Sequence, residues 1–197
     1  MSTFVKRLVV GISGASGIIY GVRLLQVLKM SNVETHLVIT RAAEKVMEVE
    51  GELSLIQIRK LSTRFYSVND VAAPISSGSF LTDGMVVIPC STKTLAGIAN
   101  GFSDNLLLRA ADVTVKERRP LILVVRETPL STIHLRNMLK LANIGVTILP
   151  ASPAFYHKPT TVNDLVDHIV GKVLDILNIK HELYERWKPE CKVFSHK

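Results

Sequence analysis

Cysteine is nearly absent from this 197-residue chain, which holds only Cys90 and Cys191. Two thiols, neither in a paired metal-ligand spacing, cannot build a disulfide framework, and both are expected to be reduced. Aromatic residues make up 6% of the sequence, and the aromatic motifs of RNA-binding modules are missing. No run of about 18 uncharged apolar residues occurs, so no membrane-spanning helix is expected. The opening MSTFVKRLVVGIS has no small-residue cleavage site after its apolar stretch, and a soluble, cytoplasmic protein is expected. Repeats and low-complexity segments are lacking too. The formal charge of +7 hints at nucleic acid, but the cations are scattered apart from KERR (residues 116–119) and a Lys-bearing tail. Several stand where strands end, which favours a small anionic substrate.

What is present is apolar and periodic. With 47% hydrophobic residues the chain can bury a full core, and a single domain over residues 1–187 is expected, followed by a polar tail over 188–197. Five β-branched runs read as buried strands: Leu8 to Ile12, Thr35 to Thr40, Gly84 to Pro89, Leu121 to Val125 and Val146 to Leu149. Most are almost continuously apolar, as in a parallel sheet covered on both faces. Helical patterns alternate with them: GVRLLQVLKM, RAAEKVMEVE, TLAGIANG, DNLLLRAADVTVKE, STIHLRNMLKLANIG and TVNDLVDHIVGKVLDIL. Ser131 and Thr161 can cap their helices, Asp164 completes a capping-box-like pair, and Gly145 can close a helix. The alternation predicts an α/β fold with an open, doubly wound and mostly parallel sheet. Such sheets bind ligands beyond the carboxyl ends of their strands, where the strand order reverses.

Functional weight therefore falls on the residues that follow strands. GISGASG (residues 11–17) spaces its glycines as G-x-x-G-x-x-G, which is neither the dinucleotide fingerprint nor a phosphate loop of the Gly-Lys-Ser/Thr type. A strand, a small-residue turn and a helix N-terminus remain, which suit an anion or simply make a tight turn. Ser13 and Ser16 add hydroxyls. CSTKTL repeats the device with Ser91, Thr92 and Thr94, and two adjacent anion cradles suggest a mononucleotide, although Ser91 alone could be a helix cap. Arg109, Lys116, Arg126 and Lys172 recur near the inferred ligand edge. Arg126 ends the run LILVV and so projects from a strand's tip, whereas Arg109 and Lys116, seven apart, could equally form a solvated helix stripe. Glu50 and Glu127 are carboxylates near these elements that could accept a proton. Tyr156, on the loop PAFYHKP, could donate to a phosphate or merely pack the loop. His157 is the histidine nearest this site, while His36, His134 and His168 fall in regular elements and read as structural. The six histidines form no metal set, and no metal is expected.

Taken together, GISGASG, SSGSF (residues 76–80), PCSTKTLAGIANG, RAADVTVKERRPLILVVRETPLS and PAFYHKP resemble the flavin prenyltransferase family, the UbiX and Pad1 proteins once described as aromatic acid carboxy-lyases. The resemblance runs from about Leu8 to Trp187. It implies a flavodoxin-like or Rossmann-like fold and a homododecamer. It also implies an enzyme that joins the dimethylallyl group of dimethylallyl monophosphate to N5 and C6 of reduced FMN, without metal, for a partner decarboxylase of the UbiD type. By the family pattern Gly14, Ala15, Ser16, Thr40, Ser91, Thr92, Lys93, Thr94 and Arg126 bind FMN. Arg109, Lys116, Arg126, Tyr156 and Lys172 correspond to the positions that take the prenyl phosphate, with Lys172 where some relatives carry Arg. Ser16, Glu50, Glu127 and Lys116 are the catalytic candidates. Val71 departs from relatives that place a Trp beside the prenyl group. Two other readings stay open: a flavin-dependent cysteine decarboxylase of the same fold, opposed by PASPAFY in place of that family's PAMN-type loop, and a flavin carrier without chemistry.

Overall fold

The computed structural model describes residues 5–50 and 53–187; the polar tail from residue 188 and Cys191 lie outside the described residues. The chain divides into two compact units, Met1–Ala151 and Ser152–Lys197.

The first unit carries six parallel strands, β1 (Arg7–Ile12), β2 (Glu34–Ile39), β3 (Arg64–Tyr66), β4 (Gly84–Cys90), β5 (Leu121–Val125) and β6 (Thr147–Ile148). Their order across the sheet is β3-β2-β1-β4-β5-β6, so the winding reverses between β1 and β4. Helices α1 (Ile18–Met30), α2 (Arg41–Glu50), α3 (Leu55–Arg59), α4 (Thr92–Ala99), α5 (Leu106–Lys116) and α6 (Thr132–Ala142) supply the crossovers. The doubly wound α/β reading of the sequence therefore holds. Every residue of β4 and β5 is buried, which is why both runs are continuously apolar. One core packs Val87, Leu123, Leu107 and Ala111 between the sheet and α5.

Local chemistry sets the element ends. Asn105 accepts from the Leu108 N–H to open α5, and Ser131 forms a reciprocal box with His134 to open α6. After α6, Gly145 turns with φ 89°, as its place in the sequence suggests. Two elements go beyond the sequence reading: the edge strand β3 and the one-turn helix α3, which Ser54 and Gln57 cap.

The second unit holds α7 (Val162–Ile176) and the segments that flank it. Thr161 and Asp164 make the expected capping box, and the backbone N–H groups of Thr160 and Thr161 hold the Asp164 carboxyl down to about 2. Among the described residues no helix is long and apolar enough to cross a membrane.

Candidate active site

The order reversal brings the β1–α1 turn beside the end of β4, and Ser13 joins them. Its Oγ donates to the Pro89 carbonyl (3.0 Å) and accepts from the Ser91 N–H (2.8 Å), while its own N–H reaches Pro89 at 3.2 Å. Ser13 is fully buried, so the two anion cradles inferred from the sequence share one internal hydrogen-bond relay. Gly14 rests against α2: a Cβ there would lie 2.4 Å from that of Ala42. Thr40 docks its N–H on the Ile12 carbonyl and its Oγ1 accepts from the Ala43 N–H, so it caps α2 beside the same turn. Helix α4 directs its Thr94 N–H to Ser91 Oγ and its Leu95 N–H to the Ser91 carbonyl. The N–H groups of Thr92 and Lys93 are the first-turn donors beyond that pair.

Glu50, the last residue of α2, reaches back 33 positions and accepts from the Gly17 N–H at 2.7 Å. The Ile18 N–H and the Ser16 side chain complete its partners. Desolvation pushes the Glu50 carboxyl up, but these three donors and the Arg126 charge outweigh it, and its pKa lies below the usual value. The N-terminus of α1 thus meets an exposed carboxylate of the same chain, which the Ser16 side chain also contacts. Arg126 docks its N–H on the Cys90 carbonyl at the end of β4, and its charge is felt by both Glu50 and Tyr20. Tyr20 is a residue the sequence reading did not single out. It is half-buried in the first turn of α1, and burial raises its phenol pKa against the pull of Arg126. Glu127, next to Arg126, accepts from the N–H of its own neighbour Thr128 at 3.1 Å.

Arg109 and Lys116 do not join this group. Arg109 donates from Nε to the Ser76 carbonyl (3.1 Å) and pairs with Asp112 at 2.7 Å. Lys116 pairs with Glu117, and a Cβ on Gly78 would come within 2.9 Å of the Lys116 Nζ. Both cations therefore border the SSGSF loop, which Arg119 also holds through the Gly78 and Phe80 carbonyls. That loop leads through Asp83, bonded to the Arg7 carbonyl, into the start of β4. Lys116, expected near the ligand edge, instead stands where strands begin, while Arg126 stands where they end. The five residues of β5 between them span roughly 16 Å at about 3.3 Å per residue. Val71 lies 56% exposed in a turn of the same unit.

In the second unit Tyr156 meets the rings of His157, His168 and Trp187 at 5.6, 6.0 and 5.5 Å between centroids. His157 stacks on His168 at 5.1 Å, and its ring nitrogens are buried with no hydrogen-bond partner among the described residues. Lys172, one turn after His168 on α7, lies 3.9 Å from Asp175. Among the described residues no three His, Cys, Asp or Glu side chains are placed to hold a metal ion.

The Flavoprotein family model matches residues 3–174. Flavin prenyltransferase UbiX of Escherichia coli K12 is 52% identical over 186 residues, covering 93% of this chain and 98% of its own length. The crystal structure of AnUbiX (PadA1) with FMN and dimethylallyl pyrophosphate superposes with a TM-score of 0.93 at 48% identity, over 94% of this chain and 99% of that one. A dodecameric FMN-dependent UbiX-like decarboxylase from Escherichia coli O157:H7 gives a TM-score of 0.91 at 52% identity, over 93% and 100%. By these matches the chain belongs to the Flavoprotein family and, within it, to the flavin prenyltransferases.

Proposed function

We propose that this protein is a flavin prenyltransferase that transfers the dimethylallyl group of dimethylallyl monophosphate to reduced FMN, and that its product serves a UbiD-type decarboxylase in the cytoplasm. The observation that carries the reading is the gathering of Ser16, Gly17, Glu50 and Arg126 at the strand-order reversal, beside Ser91. The donor set fits FMN: first-turn N–H groups of α4 and the hydroxyls of Ser16, Thr40, Ser91, Thr92 and Thr94 suit a phosphate and a polyol chain. Gly14 and Ala15 keep the turn slim, and Lys93 adds a positive charge. Bound there, the reduced flavin supplies the nucleophile.

The chain's own residues supply the rest. Cleaving the donor's carbon–oxygen bond leaves an electron pair on the phosphate and allylic cation character on the carbon. Arg126 offers two parallel N–H donors to that growing charge, and one such contact contributes about 2.7–4 kcal/mol to transition-state stabilisation. Forming the two new bonds would take one proton from N5 and one from C6 of the acceptor, while the donor's alkene carbon takes one proton up as the ring closes and the other leaves with the phosphate, so the site must both accept and return a proton. Glu50 is ionised at neutral pH because Gly17, Ile18 and Ser16 hold its carboxylate. The Ser16 side chain contacts that carboxylate, so the pair can pass a proton from ligand to Glu50. Glu127, turned onto Thr128, contributes charge near the site rather than a contact.

Arg109 and Lys116 enter from a second copy. A strand's length separates Lys116 from Arg126 within one chain, and a relative described as dodecameric supports assembly into several copies, which would let a second copy bring its own SSGSF loop. Tyr156 and Lys172, in the second unit, are the remaining candidates for the prenyl phosphate by the family pattern. The test incubates the protein anaerobically with FMN, a reductant and either dimethylallyl monophosphate or the pyrophosphate. The expected product is flavin heavier by one prenyl unit with the monophosphate; unchanged flavin mass with both donors removes the enzyme reading and leaves a carrier.

A further inference from the structure

Asp175 on α7 is the most heavily committed carboxylate of the second unit. Its Oδ2 accepts from the Tyr184 hydroxyl at 2.6 Å and from Arg186 Nη1 at 3.3 Å. Its Oδ1 accepts from Arg186 Nη2 at 2.7 Å and meets His181 Nε2 at 3.2 Å. Segment 181–187 is thereby strapped along α7, and the helix is shaped to take it. A Cβ on Gly171 would come within 2.5 Å of the Tyr184 ring and 2.7 Å of the His181 ring, so only glycine leaves room for the seat. Lys172 stands 3.9 Å from Asp175 Oδ2, outside hydrogen-bond range, although it is the nearest lysine on the same helix face. Among the described residues its ammonium makes no hydrogen bond.

The arrangement is a competition that Arg186 has won. Both oxygens of Asp175 accept from a bidentate guanidinium, whose planar fork matches a carboxylate better than a lysine's point charge does. We infer that Arg186 is a positioning residue: by occupying Asp175 it holds Lys172 at the long 3.9 Å limit of an ion pair, without a hydrogen bond, and so keeps its ammonium available to the donor's phosphate. The inference rests on the reading of Lys172 as a phosphate ligand. Without Arg186, the loose i, i+3 pair of Lys172 with Asp175 tightens to hydrogen-bond distance, and a phosphate must then break it before it binds.

The consequence is a binding defect from a residue that need not touch the donor. In the full-length protein with saturating reduced FMN, Arg186→Ala raises the KM for dimethylallyl monophosphate about threefold to fivefold, the size that a half-exposed charge pair supports. The side chains of Arg186 and Lys172 are 57% and 49% exposed, which keeps the effect modest. kcat stays near the wild-type value, and Arg186→Lys, which restores a cation, recovers part of the loss. The deciding arm is the double variant Arg186→Ala with Asp175→Asn, which removes the captor as well as its guard. Its KM returns toward wild type if Lys172 capture is the cause, whereas a merely structural role for the strap makes it worse. An unaltered KM in Arg186→Ala, or no recovery in the double variant, overturns the inference. A wild-type KM in Lys172→Ala instead removes the phosphate reading beneath it.

Discussion

The two ends of the parallel sheet are built from different materials. Where strands end, the Ser13–Gly17 turn, Ser91 and Thr94 present backbone N–H groups and short hydroxyls, tied by a buried serine and by Glu50 across 33 residues. Where strands begin, long cations do the holding: Lys116 and Arg119 on one side of the SSGSF loop, with Arg109 further up α5. The first end is rigid because its donors belong to the main chain and their geometry follows from the fold. The second is adaptable, since its charges sit on flexible stems half in water. A nucleotide that must be oriented suits the first end. A departing phosphate, which needs charge more than shape, suits the second.

The largest effect expected from separating these ends comes from their cations. Arg126→Ala lowers kcat/KM about 10²- to 10³-fold, the usual loss for one donor aimed at developing charge, and Lys116→Ala lowers it comparably. The Lys116 variant should still bind FMN, as followed by its visible spectrum, whereas the Arg126 variant should also bind it more weakly. The comparison sharpens when the two inactive variants are unfolded together and reassembled. If a working site takes Arg126 from one copy and Lys116 from another, mixed assemblies recover a measurable fraction of activity. No recovery would mean that each chain uses only its own pair.

A smaller effect tests the rigid end. Ser13→Ala leaves the part-buried Ser91 N–H without its acceptor, which costs about 1 kcal/mol of folding stability. Chemical denaturation should show it as a lower midpoint at an unchanged slope, with weaker FMN binding. A variant as stable as wild type would show that the relay is dispensable. The smallest effect concerns His36, buried in β2 between Glu34 and the Tyr66 hydroxyl, each at 2.9 Å. Burial, the largest influence, holds its pKa below the ordinary value despite the Glu34 contact. The stability that its neutral form contributes is complete above about pH 6.5 and is lost as acid titrates the ring through its lower, folded-state value. The melting temperature should decline as pH falls below 6.5, and His36→Gln should flatten that slope.

Much of this was legible in the residues. Buried strands such as LILVV announce themselves by continuous apolarity, and Ser131, Thr161 and Asn105 mark helix starts by chemistry that acts within one turn. The edge strand Arg64–Tyr66 was not legible, because three half-exposed residues carry no periodicity. Helix α3 did leave a sign, since Ser54 and Gln57 stand at capping-box spacing. The site divides along the same line. Ser13, Ser91 and Arg126 could be placed from strand ends alone, but the return of Glu50 to Gly17 depends on how α2 packs, which no local pattern encodes. The distance between Lys116 and Arg126 was written in the order of the chain: one precedes β5 and the other follows it.

The hydroxyl of Ser13, carried by the β1–α1 turn, is bonded at once to Pro89 and Ser91 at the end of β4, so the two walls cannot swing apart on separate hinges. If FMN's phosphate binds there, as proposed, it meets a mould already cast, so little of its binding energy goes into arranging the receiver.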